Sequence, residues 1–424
     1  MKTKYLAIYY TLLLLVMMTW TSQVEAPPMP LRIAFFIAVL LPGSRNRHGL
    51  FFVAMFCFWT ISANSYSYSY MPTMPEIYLL ATIVTLLIYK YKFVPLLGEG
   101  NILFLLLLLS VFLSSLDSGL PTNGLFEVLL IMFLTHLLLT KVDERTIVYF
   151  QLAFMVITIV LLFYLIAICG VFSFDIASIG DKDRLGGNDP NYMGMIIGMG
   201  ACVGIDCLLR FKQLNYYFIG LSIASIVLAV PVMLMLASRG ALLCLVVSVI
   251  FQLFMKTGNQ RAKIFMVLAG AYFLYYLYNN EYFDLLEARF LNDDGSGSNR
   301  TTIWKDKWDG YMSSLDFSQL LFGVGWEKGI DYGAARLKLK VLGFHNDFLA
   351  FLVCYGVIGL SLLLALLIQP LRNIKRRSQR WAVVYANVLY LVAGCATLEP
   401  FSTGNFTFYA FLMYTMLLAK IEYK

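Results

Sequence analysis

NDFLAFLVCYGVIGLSLLLALLIQ, residues Asn346–Gln369, holds a single charged side chain, Asp347, next to its start. Roughly 20 apolar residues are needed to cross a hydrocarbon core of about 30 Å, so this stretch reads as a transmembrane helix. Composition extends that reading to the whole chain. Over 424 residues, 60% are hydrophobic, 16% aromatic and only 13% charged, and the mean hydropathy is +0.75. A water-soluble core-and-shell protein cannot have that balance.

Outward from Asn346–Gln369, similar runs follow towards both ends. The expected spans are Lys4–Trp20, Leu31–Leu41, Leu50–Ser62, Pro75–Tyr89, Asn101–Leu116, Gly124–Thr140, Thr146–Phe172, Asn191–Leu209, Tyr216–Ala237, Ala241–Phe254, Ile264–Tyr278, Asn346–Gln369, Trp381–Ala396 and Phe406–Leu418. The expected fold is therefore an all-α integral membrane protein with about fourteen transmembrane helices, or twelve if the shortest runs only re-enter or line the interface. The organisation follows: amino-terminal helices over 1–172, further helices and polar hairpins over 173–278, a long external loop over 279–345, and three closing helices over 346–424.

Lys and Arg cluster in alternate connections, at Lys2/Lys4, Arg45/Arg47, Lys90/Lys92, Lys141/Arg145, Arg210/Lys212, Lys256/Arg261/Lys263 and Arg372–Arg380. This places both termini in the cytoplasm and the connections Ser173–Pro190 and Asn279–His345 outside. The net charge of +7 is then an orientation signal and an attraction to anionic lipid, not a sign of nucleic acid. Lys2 and Lys4, the apolar run behind them and Val24-Glu25-Ala26 imitate a signal peptide. Pro27 and Pro28 fall where the cleaved bond would lie, so the run is read as a span. The seven cysteines all fall in expected spans, without a CxxC pair, and read as free, small core residues. Ser62–Tyr70 (SANSYSYSY) reads as a loop at headgroup level.

Four polar clusters lie on the expected outer side. In Asp181–Asn191, Gly186 and Gly187 allow close backbone approach and Asp189-Pro190-Asn191 resembles a helix start, while Arg184 suits an anion. Ala237-Ser238-Arg239-Gly240 is a tight hairpin whose Arg239 is costly at membrane depth unless it snorkels or faces an anion-filled cavity. Ser298–Trp304 opens a helical pattern with Trp304, Trp308, Tyr311, Met312 and Leu315 spaced to lie on a membrane surface. Leu321–Trp326 and Gly343–Phe348 bring His345 to the start of a span, where an imidazole exchanges protons near neutral pH. Each has a plainer alternative: a capped loop, a snorkelling arginine, an interfacial Trp anchor and a structural histidine. His136, mid-span, is read as structural.

The ordered set Arg184-x-Gly-Gly-x-Asp-Pro-Asn191, Ser238-Arg-Gly240, Asn299-Arg-x-x-Ile-Trp304, Phe322-Gly-Val-Gly325, His345-Asn-x-Phe-Leu349 and Gly356-x-x-Gly-Leu360 resembles the O-antigen ligase and O-antigen polymerase superfamily. The likeness runs from about Ser173 to Gln369. It implies a glycosyltransferase of cell-surface polysaccharide assembly, in the bacterial inner membrane with its site on the outer face. The donor would be a polyprenyl-diphosphate-linked glycan and the acceptor a glycan or lipid A-core hydroxyl, with a chain-length regulator as a possible partner. By this resemblance His345 stands at the reacting centre, and Arg239, Arg300 and Arg184 face the diphosphate. Asp189, Asn191, Asn346 and Trp304 position substrate.

Fixed arginines can stabilise a leaving diphosphate directly, so neither metal nor cofactor is expected. Asp181-x-Asp183 imitates a metal motif but supplies too few oxygens for a hard cation. Lys338 and Lys340 read as solvated loop charges. The span count favours a polymerase, with a ligase as the alternative. A flippase or transporter is the reading from another class, and it would place more ionisable groups at mid-membrane than Asp206, His136 and Glu127.

Overall fold

A computed structural model describes residues 99–116, 125–138, 144–174, 189–210, 216–255, 259–291, 300–332, 343–374 and 380–420, with a few positions between 5 and 38. The expected spans Leu50–Ser62 and Pro75–Tyr89, most of Leu31–Leu41 and much of Lys4–Trp20 lie outside the described residues. So do Ser62–Tyr70, Asp181, Asp183, Arg184, Lys338 and Lys340. A total of fourteen or twelve spans therefore extends beyond them.

Among the described residues the chain is helical, without a strand. The helices are α1 Glu99–Ser114, α2 Leu125–Leu138, α3 Glu144–Phe163, α4 Pro190–Arg210, α5 Tyr216–Val227, α6 Ala229–Met235, α7 Arg239–Phe254 and α8 Gln260–Asn279. They continue with α9 Asp284–Leu291, α10 Arg300–Ser314, α11 Phe317–Phe322, α12 Trp326–Asp331, α13 Asp347–Asn373, α14 Trp381–Thr397 and α15 Phe406–Lys420. Among the described residues four segments are long and apolar enough to cross a membrane: Ile147–Ile168, Pro190–Leu209, Tyr216–Met235 and Asp347–Asn373. Ile102–Ser114, Arg239–Phe254 and Trp381–Thr397 are shorter apolar helices. Apolar side chains and backbone groups bonded within each helix are what a bilayer requires of a span.

α4 lies at the centre, packed against α3, α5 and α7, and α7 packs in turn on α14. Glycines allow these close approaches: Gly194 faces Ala241 on α7, Gly198 faces Tyr390 on α14, and Gly204 faces Ser222 on α5. Without a hydrophobic force between helices in lipid, such small-residue contacts let van der Waals packing hold the bundle. Tyr390 adds a hydrogen bond from its hydroxyl to the Met195 carbonyl at 2.6 Å. Deeper in the bundle, the amide of Gln151 donates to Asp206 at 3.3 Å and to the Tyr414 hydroxyl at 3.2 Å. The Asp206 carboxylate, expected mid-span, lies near the carboxyl end of α4 and is held inside a side-chain network.

Two expectations change in detail. Tyr216–Ala237 is divided into α5 and α6 at Leu228. Pro231 has no N–H to donate to the Val227 carbonyl, which opens the helix there. The described residues of the connection expected outside are largely helical, and the aromatic stripe of α10 does not share one environment. Ile303, Lys307 and Tyr311 face inward while Trp308 and Met312 are exposed. The i, i+4, i+8 row that buries includes a lysine, which hydropathy excluded from the apolar face.

α13 is broken at Gly356, whose backbone is non-helical with φ 68°. The break leaves carbonyls without their helical donors, and the loop before α12 fills that gap. Val324 N–H donates to the Val353 carbonyl at 3.0 Å and Gly325 N–H to the Cys354 carbonyl at 2.9 Å. Gly323 also has positive φ, 79°, and a Cβ there would collide with the Cys354 backbone. Phe-Gly-Val-Gly and Gly-x-x-Gly-Leu are therefore two halves of one joint. The free cysteines 202, 207, 244, 354 and 395 are buried and Cys169 is half-buried, as their positions in apolar runs suggested.

Candidate functional site

The polar clusters meet at one end of the bundle because α4, α7 and α13 all begin there. Asp189 precedes Pro190, and its Oδ1 accepts from the backbone N–H of Asn191 at 2.7 Å and from the Asn191 side-chain amide at 2.9 Å. Proline at the first helical position costs no hydrogen bond, since that N–H has no intrahelical partner. Asn191 in turn accepts from the Ser238 hydroxyl at 2.8 Å, which ties the start of α4 to the start of α7. Asp189 and Asn191, expected to position substrate, thus build and join helix ends.

Ser238 is the N-cap of α7, accepting from Ala241 N–H at 3.4 Å. Ala237 before it sits in the left-handed region with φ 52°. A non-glycine residue there is strained and persists only where its surroundings hold it. Arg289 on α9 does so by donating from Nη1 to the Ala237 carbonyl at 2.8 Å. Arg239 opens α7 half-buried, with its guanidinium 5.3 Å from the centre of the Phe290 ring.

His345 has φ 51°, a second strained position, immediately before Asn346, the N-cap of α13, whose side chain accepts from Leu349 N–H at 3.1 Å. Asn346 is accordingly a capping residue. Glu399, in the connection between α14 and α15, accepts from Phe344 N–H at 2.6 Å and from His345 N–H. Asp347 returns the contact: its N–H donates to the Leu398 carbonyl at 3.1 Å. Its carboxylate accepts from Phe401 N–H at 3.0 Å and Ser402 N–H at 2.7 Å. The two segments clasp each other, so the strained histidine turn is held from behind by buried carboxylates.

α10 supplies the other wall. Trp304 donates from Nε1 to the Phe344 carbonyl at 2.8 Å. Arg300 lies one turn earlier on the same helix, half-buried. Lys307 is fully buried, donating to the Gly329 carbonyl at 3.1 Å and to that of Ile330. Its ammonium lies 4.8 Å from the centre of the Phe344 ring. Burial lowers its pKa to about 8, against the raising effect of Cys354, Glu399 and Asp331. Glu399 is raised to about 7, chiefly by burial and further by Asp189, while the Phe344 and His345 N–H groups and Lys307 act the other way.

The clusters are contiguous. Tyr192 on the first turn of α4 meets Thr403 at 3.4 Å between hydroxyls, and the Thr403 hydroxyl donates to the Glu399 carbonyl at 2.7 Å. Gly240 on α7 packs on Thr397 at the end of α14. Helix N-termini carry partial positive charge, which favours an anion at the end that holds Arg239, and Asp189, Ser238 and Asn346 each already take up one N–H of these starts.

The structure brings Arg239, His345 and Trp304, expected from the sequence, to this end of the bundle together with Glu399, Lys307 and Arg289, which the sequence reading did not single out. Glu399 could have been picked out as the lone acid between the last two apolar runs, whereas Lys307, with Asp306 buried beside it, carries no such signal in the sequence. Among the described residues no group of three His, Cys, Asp or Glu side chains is placed to hold a metal.

No curated protein matches the chain. Residues 224–364 match the family model described as O-antigen ligase. The matched stretch contains Arg239, Arg300 and His345, while Asp189, Asn191 and Glu399 fall outside it. The matched stretch is about a third of the chain, and over it the chain is similar to that family.

Proposed function

We propose that the chain is a glycosyltransferase that moves a glycan from polyprenyl diphosphate to an acceptor hydroxyl at the outer face of the bacterial inner membrane. The observation that carries this reading is that the starts of α4, α7 and α13 are tied together at one end of the bundle, by Ser238 to Asn191 and by Tyr192 to Thr403 in the connection that Asp347 holds, with Arg239 and the strained His345 in those starts. A diphosphate leaving group needs fixed positive donors, and a guanidinium beside helix dipoles supplies them without reorganisation.

The acceptor oxygen attacks the anomeric carbon as the bond from that carbon to the phosphate oxygen breaks. The acceptor proton passes to the His345 imidazole, and polyprenyl diphosphate departs with the electron pair of the broken bond. Arg239, with Arg300 and Arg184, meets the charge that develops on it. His345 fits a general base because its turn is held by Glu399 while the residue itself is only half-buried. Asp189, Asn191, Asn346 and Trp304 act through the scaffold.

Purified protein incubated with lipid-diphosphate-linked repeat units tests this, with and without lipid A-core. A ladder formed without added acceptor assigns polymerase, and one shift that needs lipid A-core assigns ligase. Arg239→Gln is expected to lower turnover roughly 10²- to 10³-fold, as loss of one transition-state donor does. Full activity in both Arg239→Gln and His345→Ala sinks the proposal.

A further inference from the structure

Arg239 is held by two consecutive residues of a helix that belongs to neither apolar neighbour of its hairpin. Arg289 donates to the carbonyl of Ala237 at 2.8 Å, and Phe290 lies under the Arg239 guanidinium at 5.3 Å. The first contact fixes the left-handed residue that turns the chain into α7. The second fixes the side chain that follows. Both come from α9, which packs on α6 and follows α8, a helix in which only Lys263 and Leu277 are buried.

We propose that Arg289 and Phe290 are positioning residues for the diphosphate site, forming a latch that sets the backbone and the side-chain direction of Arg239. This rests on the diphosphate reading of Arg239 and deepens it. An arginine on a flexible stem loses rotamer freedom when it binds a ligand, and a side chain already stacked on a ring loses less. Phe290 contributes a face for the guanidinium, while its own outer side stays exposed. Nothing in the latch touches the reacting atoms. Its effect is on how tightly the diphosphate is held, and it makes the state of Arg239 depend on α9 being seated.

The test uses full-length protein in lipid nanodiscs and undecaprenyl diphosphate without a glycan as the probe. Phe290→Leu, which keeps apolar bulk and removes the ring, is expected to weaken binding about two- to five-fold, the range of a half-exposed cation–π contact. Phe290→Trp is expected to bind as the parent does, and Arg289→Gln to weaken binding. In an Arg239→Gln background, Phe290→Leu should change nothing further, because contacting residues are not additive. Equal binding by Phe290→Leu and parent overturns the latch, as does the same loss in both backgrounds. If Arg239→Gln itself leaves binding unchanged, the diphosphate reading is what fails. The latch is then judged on Phe290→Trp alone, whose indole emission should shift when Arg239 is replaced by Gln; no shift overturns it.

Discussion

Glu399 accepts the backbone N–H of Phe344 at 2.6 Å across 55 residues of sequence, so the carboxylate in one connection sets the geometry of the histidine turn in another. The turn is strained at His345, and strain of this kind survives only while its holders are intact. Glu399→Gln keeps one acceptor oxygen and loses the charge. Transfer by that variant is expected to fall roughly 10²-fold, the cost of misplacing a catalytic group by about 1 Å. Binding of undecaprenyl diphosphate should remain, and wild-type transfer rates would refute the positioning role.

Glu399 also gives stability a pH dependence. Burial raises its folded pKa to about 7 from the ordinary 4.5. The folded state therefore holds a proton that the unfolded chain releases. The contribution is complete below about 4.5 and is lost as pH rises through about 7, by up to about 3 kcal/mol. Tm measured from pH 5 to 8 should fall more steeply for the wild type than for Glu399→Gln. Lys307→Met, which removes a cation that lowers this pKa, should move the midpoint of the fall upward.

Asp347 has two backbone donors, Phe401 and Ser402, on its two oxygens. Asp347→Asn replaces one acceptor with a donor that faces another N–H. Leaving buried groups unmatched costs about 1–3 kcal/mol each, so Tm should fall markedly, with a larger loss for Asp347→Ala. A Tm within about one degree of wild type for both would dissolve the clasp as a source of stability.

Gly323 and Gly220 offer a matched pair. Gly323→Ala puts a Cβ onto the Cys354 backbone at positive φ, whereas Gly220 on α5 has nothing within 4 Å. The first should cost roughly 3 kcal/mol from strain and overlap together. The second should gain up to about 1 kcal/mol in helix propensity. Detergent-solubilised yield and Tm of the two variants measure the contrast.

Much of the site was legible because it is local. Asp189-Pro190-Asn191 announces a helix start through chemistry within three residues, and Ser238-Arg239 announces another. His345 stands out as a titratable group at the edge of an apolar run. Arg289, Lys307 and Glu399 did not stand out, because what matters about each is a partner 52, 22 and 55 residues away. A charge in a polar connection reads as solvated until packing shows it buried. The α10 stripe was misread for the same reason: hydropathy ranks Lys307 outward, yet two carbonyls and the Phe344 ring hold it inside.

The sequence by itself determined the membrane class, the helical state and the residue types fit for an anionic donor, since bilayer transfer energies and capping chemistry act residue by residue. Only the tertiary structure decided that α4, α7 and α13 begin at one place, that Gly356 opens a joint filled by Val324 and Gly325, and that Glu399 stands behind His345. Those facts depend on which helix packs on which, and that choice rests on small-residue contacts and buried polar partners distributed across the whole chain.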